Sequence, residues 1–369
     1  MKICHLTSVH HYNDTRIFIK ECKSLAEAGY EVHLIAPDAP NVIKEGVCIH
    51  GVKKESGSRL KRMTKTVKRV LEKGLELDAD VYHFHDPELL PIALKLKKIG
   101  KKVIYDVHED VPKQILTKKW LPKVFHKIVA NTFEKYENYA ALNFDYIITS
   151  TPYIRDRFLK LGCNVKDIKN YPILKELENV DKTWLKKKNS VCYVGGITVA
   201  RGIKQIIEAI QIANNVKLLL AGNFAYSTEK EMVKSLPGWS KVQELGYLSR
   251  AEVKEVYSNS IAGIVVLHPT SNYLMSLPIK MFEYMSAGIP VIASNFPLWK
   301  NIIEKYECGI CVDPLNPKEL GNAIQWIKDN PQMAEEMGKN GRRAIERKYN
   351  WEIESQELVK IYKKLLGNY

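Results

Sequence analysis

Short β-rich runs alternate along the chain with stretches whose apolar positions recur every three or four residues. Residues 3–9 are largely apolar and read as a strand. Residues 15–28 follow with helical spacing (Ile17, Phe18, Cys22, Leu25, Ala26), closed by Gly29. Further strands are expected over 31–36, 81–84, 103–105 and 146–150, with a helix over 87–98 ending at Gly100. The rhythm breaks near 170–188, where Tyr171-Pro172 and a charged stretch read as a linker. It then restarts. Strands are expected over 190–195, 216–221, 243–246, 263–267 and 291–293. Helices are expected over 203–213, 250–258, 279–287, 318–329, 332–348 and 351–366.

Strands alternating with helices predict an α/β fold of two doubly wound parallel sheets. The expected division is a first domain over 1–172, a linker over 173–188, a second domain over 189–350 and a final helix over 351–369. Ligands of open α/β sheets sit beyond the carboxyl ends of the strands. Two such domains facing each other are expected to hold a ligand in a central cleft.

At 369 residues with 45% hydrophobic composition, the chain has enough apolar surface for two cores. The first strand follows Met1 directly, without the pattern of a signal peptide. The longest apolar run, 261–267, falls far short of the roughly 20 residues that span a bilayer. The expectation is a cytoplasmic protein or one bound to the inner face of a membrane. Seven cysteines, an odd number without paired metal spacing, read as reduced thiols, the lone Cys308-Gly309-Ile310-Cys311 included. Net charge is +14, and residues 1–170 carry +9 of it (30 Lys+Arg against 21 Asp+Glu). Nucleic acid, anionic lipid or a phosphorylated substrate would suit that excess. No zinc-finger or RNP-like motif accompanies it, so nucleic acid is not the expected partner.

The stretch from Leu277 to Ala293 carries the most chemistry. Pro278 suits the first position of a helix that Gly288 stops. The start of such a helix offers free amides and a positive dipole end, an anion site. Lys280 lies in that first turn, where the dipole disfavours a cation unless a phosphate is bound. Glu283 lies one turn on, placed to accept hydrogen bonds from ribose hydroxyls.

Pro278-x-Lys280-x-x-Glu283-Tyr284-Met285-x-Ala287-Gly288-x-Pro290-Val291-Ile292-Ala293 resembles the donor-binding signature of family four retaining glycosyltransferases. Four other segments are similar to a branch of that family that builds bacterial surface polysaccharides. They are Asn13-Asp14-Thr15-Arg16-Ile17-Phe18, His85-Asp86-Pro87-Glu88-Leu89, Tyr105-Asp106-Val107-His108-Glu109 and Tyr193-Val194-Gly195-Gly196 with Arg201-Gly202. The resemblance implies the GT-B fold, two Rossmann-like domains facing a central cleft, with the final helix crossing back to the first. It implies no metal and no cofactor, the nucleotide-sugar being a substrate. It assigns the donor ribose to Glu283 and the diphosphate to Leu277, Pro278, Lys280 and Arg201. Gly195, Gly196 and Gly222 would admit the donor and Tyr247 would meet its base. His108 would face the reacting sugar, and Asp14, Arg16 and Glu109 would lie on the acceptor side.

Two positions depart from the family pattern. Met275 stands where many members carry the first Glu of Glu-x7-Glu, and Gly196 stands where many carry an arginine. Asp14 also fits a plain helix cap, and Asp78-Ala79-Asp80 reads as a turn before a strand rather than a metal motif. The implied function is transfer of a hexosyl or N-acetylhexosaminyl group from a UDP-linked donor to a glycan or lipid-pyrophosphate-linked acceptor. A GT-B-like sugar-nucleotide epimerase and a non-catalytic partner subunit remain as alternatives. Basic amphipathic stretches over 59–73 and 113–127, the second with Trp120, predict peripheral contact with an anionic membrane.

Overall fold

The computed structural model describes residues 1–55, 57, 61–116, 118, 121–177, 184 and 187–367. The chain divides into two compact units, Met1–Asn170 with Ile353–Tyr369, and Tyr171–Glu352. Each is a Rossmann-like α/β layer structure.

The first unit holds eight strands: β1 (Lys2–Leu6), β2 (Glu31–Pro37), β3 (Val42–Lys44), β4 (Val47–Val52), β5 (Val81–Phe84), β6 (Lys102–Val107), β7 (Tyr146–Thr149) and β8 (Val165–Asp167). Their order is β3-β4-β2-β1-β5-β6-β7-β8, parallel except for the edge hairpin β3–β4. That hairpin turns at Glu45-Gly46, both at positive φ. The chain leaves β1 toward β2 and returns to β5 on the other side, which puts a switch point between β1 and β5.

Alternation along the strands sorts the two faces. Cys4, Leu6, Tyr82, Phe84, Val103 and Tyr105 enter one apolar cluster beneath the helices Val67–Leu77 and Leu90–Lys98. The opposite face of the central strands carries His5, His83 and Asp106, all fully buried.

The second unit holds β9 (Ser190–Val194), β10 (Lys217–Ala221), β11 (Val242–Gly246), β12 (Ala262–Val265), β13 (Val291–Ser294) and β14 (Gly309–Val312). The order β11-β10-β9-β12-β13-β14 is parallel throughout, with the switch point between β9 and β12. Both faces are covered: Val191 and Tyr193 join one core cluster and Cys192, between them, joins the other.

Residues 171–177 belong to the second unit. Tyr171 packs on Phe282 at 4.7 Å and Tyr349 at 5.3 Å between ring centroids. Residues 178–183 and 185–186 of the expected linker lie outside the described residues. The helix Trp351–Leu365 begins in the second unit, and from Ile353 onward it belongs to the first.

Two local expectations change. Pro278 is the cap, extended at ψ 123°, and the helix begins at Ile279. In the basic stretch near 59–73, Val67 and Val70 are buried in the core of the first unit, so that part of the apolar face is taken by packing. Arg59 and Leu60 lie outside the described residues. Asp78-Ala79-Asp80 is structural: Asp78, left-handed at φ 47°, closes the preceding helix, and Asp80 accepts the Lys2 amide at 2.9 Å. Among the described residues, no helix is long and apolar enough to cross a membrane.

Candidate functional site

In the second unit the polar groups gather at the carboxyl ends of β9 and β10. Gly195 and Gly222 end these strands at φ 127° and 130°. A Cβ on Gly222 would stand 2.0 Å from the Gly195 carbonyl oxygen, so only glycine allows this approach. The Lys280 ammonium rises beside Gly195, 3.5 Å from the centroid of the Tyr193 ring. It is buried and has no hydrogen-bond partner among the described residues. Burial, with Arg201 nearby, holds it well below the usual lysine range, and Glu283 only partly offsets this.

Arg201 closes a short turn capped by Thr198, and its Nη1 donates to the Gly196 carbonyl at 3.1 Å. A guanidinium therefore sits over the position where many family members carry an arginine side chain. The helix Ile279–Ser286 has no side-chain cap at its start. Leu277 packs against the core beneath it. One turn in, Glu283 accepts from Arg250 Nη1 at 2.8 Å and from the Tyr257 hydroxyl at 3.0 Å. Arg250 also donates to Glu176 at 2.5 Å. Sequence patterning missed Arg250 and Tyr257. Their helix, Arg250–Ser258, carries a capping box that marks its start but nothing that points at Glu283. Tyr247 is 82% exposed just after β11, and Met275 is exposed.

In the first unit the switch point is lined by a buried polar chain. Asp106 accepts two bonds from Arg16, at 2.8 and 2.7 Å, one from His108 at 2.7 Å and one from His85 at 3.1 Å. Burial opposes its charge, but Arg16 and His108 hold the carboxyl well below the ordinary range. Arg16 is itself buried, and its remaining contacts are the Ile168 carbonyl at 2.9 Å and Glu21 at 3.1 Å. All three of its guanidinium nitrogens are engaged inside the unit, two of them on Asp106. His108, just past β6, remains partly exposed.

Asp14 caps the helix that starts at Thr15, accepting from the Arg16 and Ile17 amides at 2.8 and 3.0 Å. Burial opposes ionisation, yet the His10 contact and the Ile17 amide hold Asp14 below the usual range. His10 lies 3.4 Å from both Asp14 and Asp86. Asp86 takes the Thr7 hydroxyl and the Ser8 amide, each at 2.7 Å. His10, Thr7 and Ser8 were not anticipated, because only sheet order brings the end of β1 beside that of β5. Glu109 is exposed.

The family profile described as Glycosyltransferase Family 4 matches residues 16–169, and that described as Glycosyl transferases group 1 matches residues 175–344. Phosphatidyl-myo-inositol mannosyltransferase of Mycobacterium leprae is 21% identical over 353 residues, covering 90% of this chain and 88% of that one. Sucrose-phosphate synthase from Thermosynechococcus elongatus superposes with a TM-score of 0.77 at 18% identity, covering 100% of both chains. HepE of Anabaena, solved in complex with UDP-glucose, gives 0.74 at 14% identity, over 99% of this chain and 100% of that one. The chain is a glycosyltransferase of the GT-B, family 4 type.

Proposed function

We propose that the chain is a retaining, metal-independent transferase. It moves a hexosyl or N-acetylhexosaminyl group from a UDP-linked donor to a glycan or lipid-pyrophosphate-linked acceptor in bacterial surface-polysaccharide assembly. The observation that carries the donor side is the Lys280 ammonium, buried without an acceptor beside the Gly195 and Gly222 backbones. A buried cation without an acceptor fits a site completed by an anion. The donor diphosphate supplies that anion, with the first amides of the helix Ile279–Ser286 and Arg201 sharing its charge. Glu283 keeps lone pairs for ribose hydroxyls while Arg250 and Tyr257 fix its rotamer. Tyr247 stacks near the base.

As the sugar C1–O bond breaks, negative charge grows on the leaving phosphate. Lys280 and Arg201 act on that charge where it develops. The acceptor hydroxyl adds on the same face and its proton passes to the leaving phosphate oxygen, which gives retention. His108, backed by Asp106, hydrogen-bonds the reacting sugar or acceptor, with Asp14 and Glu109 at the acceptor side. The UDP-glucose complex of HepE supports a UDP-linked donor, and the lipid named in the mycobacterial relative supports a lipid-linked acceptor.

The helix Lys123–Ala141 exposes Val124, Phe125 and Ile128 beside the exposed Lys123 and Lys127. Such a face suits an anionic membrane surface, the inner face of the cell membrane in this reading. Trp120 and Lys119 of the same stretch lie outside the described residues.

Calorimetric titration with UDP, GDP, ADP and dTDP, with and without magnesium, tests the donor side. Binding of UDP that is indifferent to magnesium and lost in Glu283→Ala supports the proposal. Binding of none of the four would favour the partner-subunit alternative, with Met275 and Gly196 as its cause.

A further inference from the structure

The polar face of the first sheet holds a cluster that sugar transfer does not use. His5 on β1 and His83 on β5 are in register on adjacent strands, and His85 follows on the same side of β5. Their ring centroids lie 4.5, 4.6 and 5.2 Å apart. Glu21 descends from the helical turns Thr15–Cys22. One nitrogen or oxygen from each of the four lies within 4.8 Å of the others. His5, Glu21 and His83 are 0% exposed and His85 is 3%.

Among the described residues, four atoms of this cluster make no hydrogen bond: His5 Nε2, His83 Nε2 and both oxygens of Glu21, although Glu21 Oε1 lies 3.1 Å from the Arg16 Nε as an ion pair. Buried polar atoms in proteins are nearly always satisfied, so four together require a cause. The Glu21 oxygen stands 3.9 Å from His83 Nε2, beyond hydrogen-bond reach.

One set of tautomers satisfies the neighbouring bonds. Asp106 is ionised, so His85 Nδ1, at 3.1 Å, donates to it, and His85 Nε2 is then an acceptor. It takes the Nδ1 proton of His5 at 2.9 Å, which leaves the His5 Nε2 lone pair free. In that set His83 Nδ1, 2.8 Å from the Tyr362 hydroxyl, is the donor and its Nε2 carries the lone pair. Two imidazole lone pairs and a carboxylate then belong to a cluster whose ligand atoms lie within 4.8 Å of one another. Each imidazole is oriented through its other nitrogen, as metal-bound histidines usually are.

We propose that His5 Nε2, His83 Nε2 and the Glu21 carboxylate hold a structural zinc ion, with His85 and Tyr362 as its outer supports. Tetrahedral bonds of about 2.0–2.1 Å set ligand atoms roughly 3.4 Å apart, so Glu21 and His83, at 3.9 Å, close by about half an ångström and the cluster as a whole by up to about 1.4 Å. Bidentate Glu21 makes four donor atoms and leaves no open position, as structural rather than catalytic sites require. Two imidazoles and a carboxylate are a zinc-binding set, shared with iron(II), from which elemental analysis distinguishes it. The ion ties β1, β5 and the helix beginning at Thr15 beneath the Asp106–His108 pair. It plays no part in donor binding, so magnesium-free UDP titrations do not report on it.

Elemental analysis of the untagged, full-length protein, purified without chelator, tests this. About one equivalent of zinc per chain is expected. Less than about a tenth of an equivalent of any transition metal overturns the proposal. Glu21→Gln and His83→Gln should lose the ion; zinc retained in both places it elsewhere and also overturns it. Should these variants fail to fold, Tyr362→Phe removes only an outer hydrogen bond and should weaken zinc retention about 10- to 100-fold against a competing chelator. Unchanged retention in Tyr362→Phe counts against the assigned ligand. Wild-type protein unfolded with EDTA and refolded with zinc should melt higher than protein refolded without it, and equal melting refutes a structural role.

Discussion

Replacing Lys280 by methionine separates the two roles a buried cation can have. The ammonium is buried without an acceptor, in the first turn of a helix whose dipole opposes it. A buried unsatisfied group costs about 1–3 kcal/mol, more when charged, and the Tyr193 ring returns about 1–2 kcal/mol. Methionine fills similar space and removes the charge. The net expectation is a gain of about 1–2 kcal/mol in the nucleotide-free protein, or roughly 2–8 °C in melting temperature for a unit of this size. The diphosphate loses a charge-assisted hydrogen bond of about 1.5–3 kcal/mol, so UDP affinity should fall roughly tenfold to a hundredfold.

The pH dependence gives an independent check. Burial sets the folded pKa of Lys280 below that of the unfolded chain. Between the two values the unfolded chain binds more protons, so this lysine makes stability rise with pH across that window. UDP binding restores the proton, so affinity should fall as pH climbs through the same range. Both trends should vanish in Lys280→Met. Scanning calorimetry supplies the first, and titration in buffers of different ionisation enthalpy supplies the second. A variant that melts lower while binding UDP as well as wild type would refute the reasoning and make Lys280 a structural cation.

Other outcomes follow from the same geometry. Glu283→Gln keeps the shape but weakens the Arg250 contact, and UDP affinity should fall about tenfold by titration, with smaller losses for ligands lacking ribose. Gly222→Ala drives a methyl to 2.0 Å from the Gly195 carbonyl at an unfavourable φ, and should cost on the order of 2–4 kcal/mol in urea denaturation. Arg16→Met leaves Asp106 buried without its bidentate partner; a loss of about 3–5 kcal/mol is expected, and a loss below about 1 kcal/mol would deny the pairing its importance. Phe125→Ser with Ile128→Ser should reduce co-sedimentation with vesicles containing anionic lipid and leave UDP binding untouched.

Much of the architecture is written in local patterns. The helices Arg250–Ser258 and Ile203–Ile212 show their apolar spacing without reference to anything distant, and β5 was expected over the residues it occupies. Elements without such a signal were missed. The hairpin β3–β4 lies at a sheet edge, where Val42 and Ile43 are exposed and alternation is weak. The helix Pro297–Tyr306 and strand β8 were missed as well.

The sequence by itself determined the strand–helix rhythm, the glycines that end β9 and β10, and the Lys280–Glu283 spacing on one helix. All of these are set by interactions within a few residues. Only the tertiary structure decided which distant groups meet. Sheet order, a global result of burying both faces, set β1 against β5 and so joined His5 to His83 across 78 positions. It also delivered Arg250 and Tyr257 to Glu283 and Arg16 to Asp106. Backbone periodicity repeats every 2 or 3.6 residues and carries no record of such partners. They are fixed when the layers pack and each buried charge must find its complement.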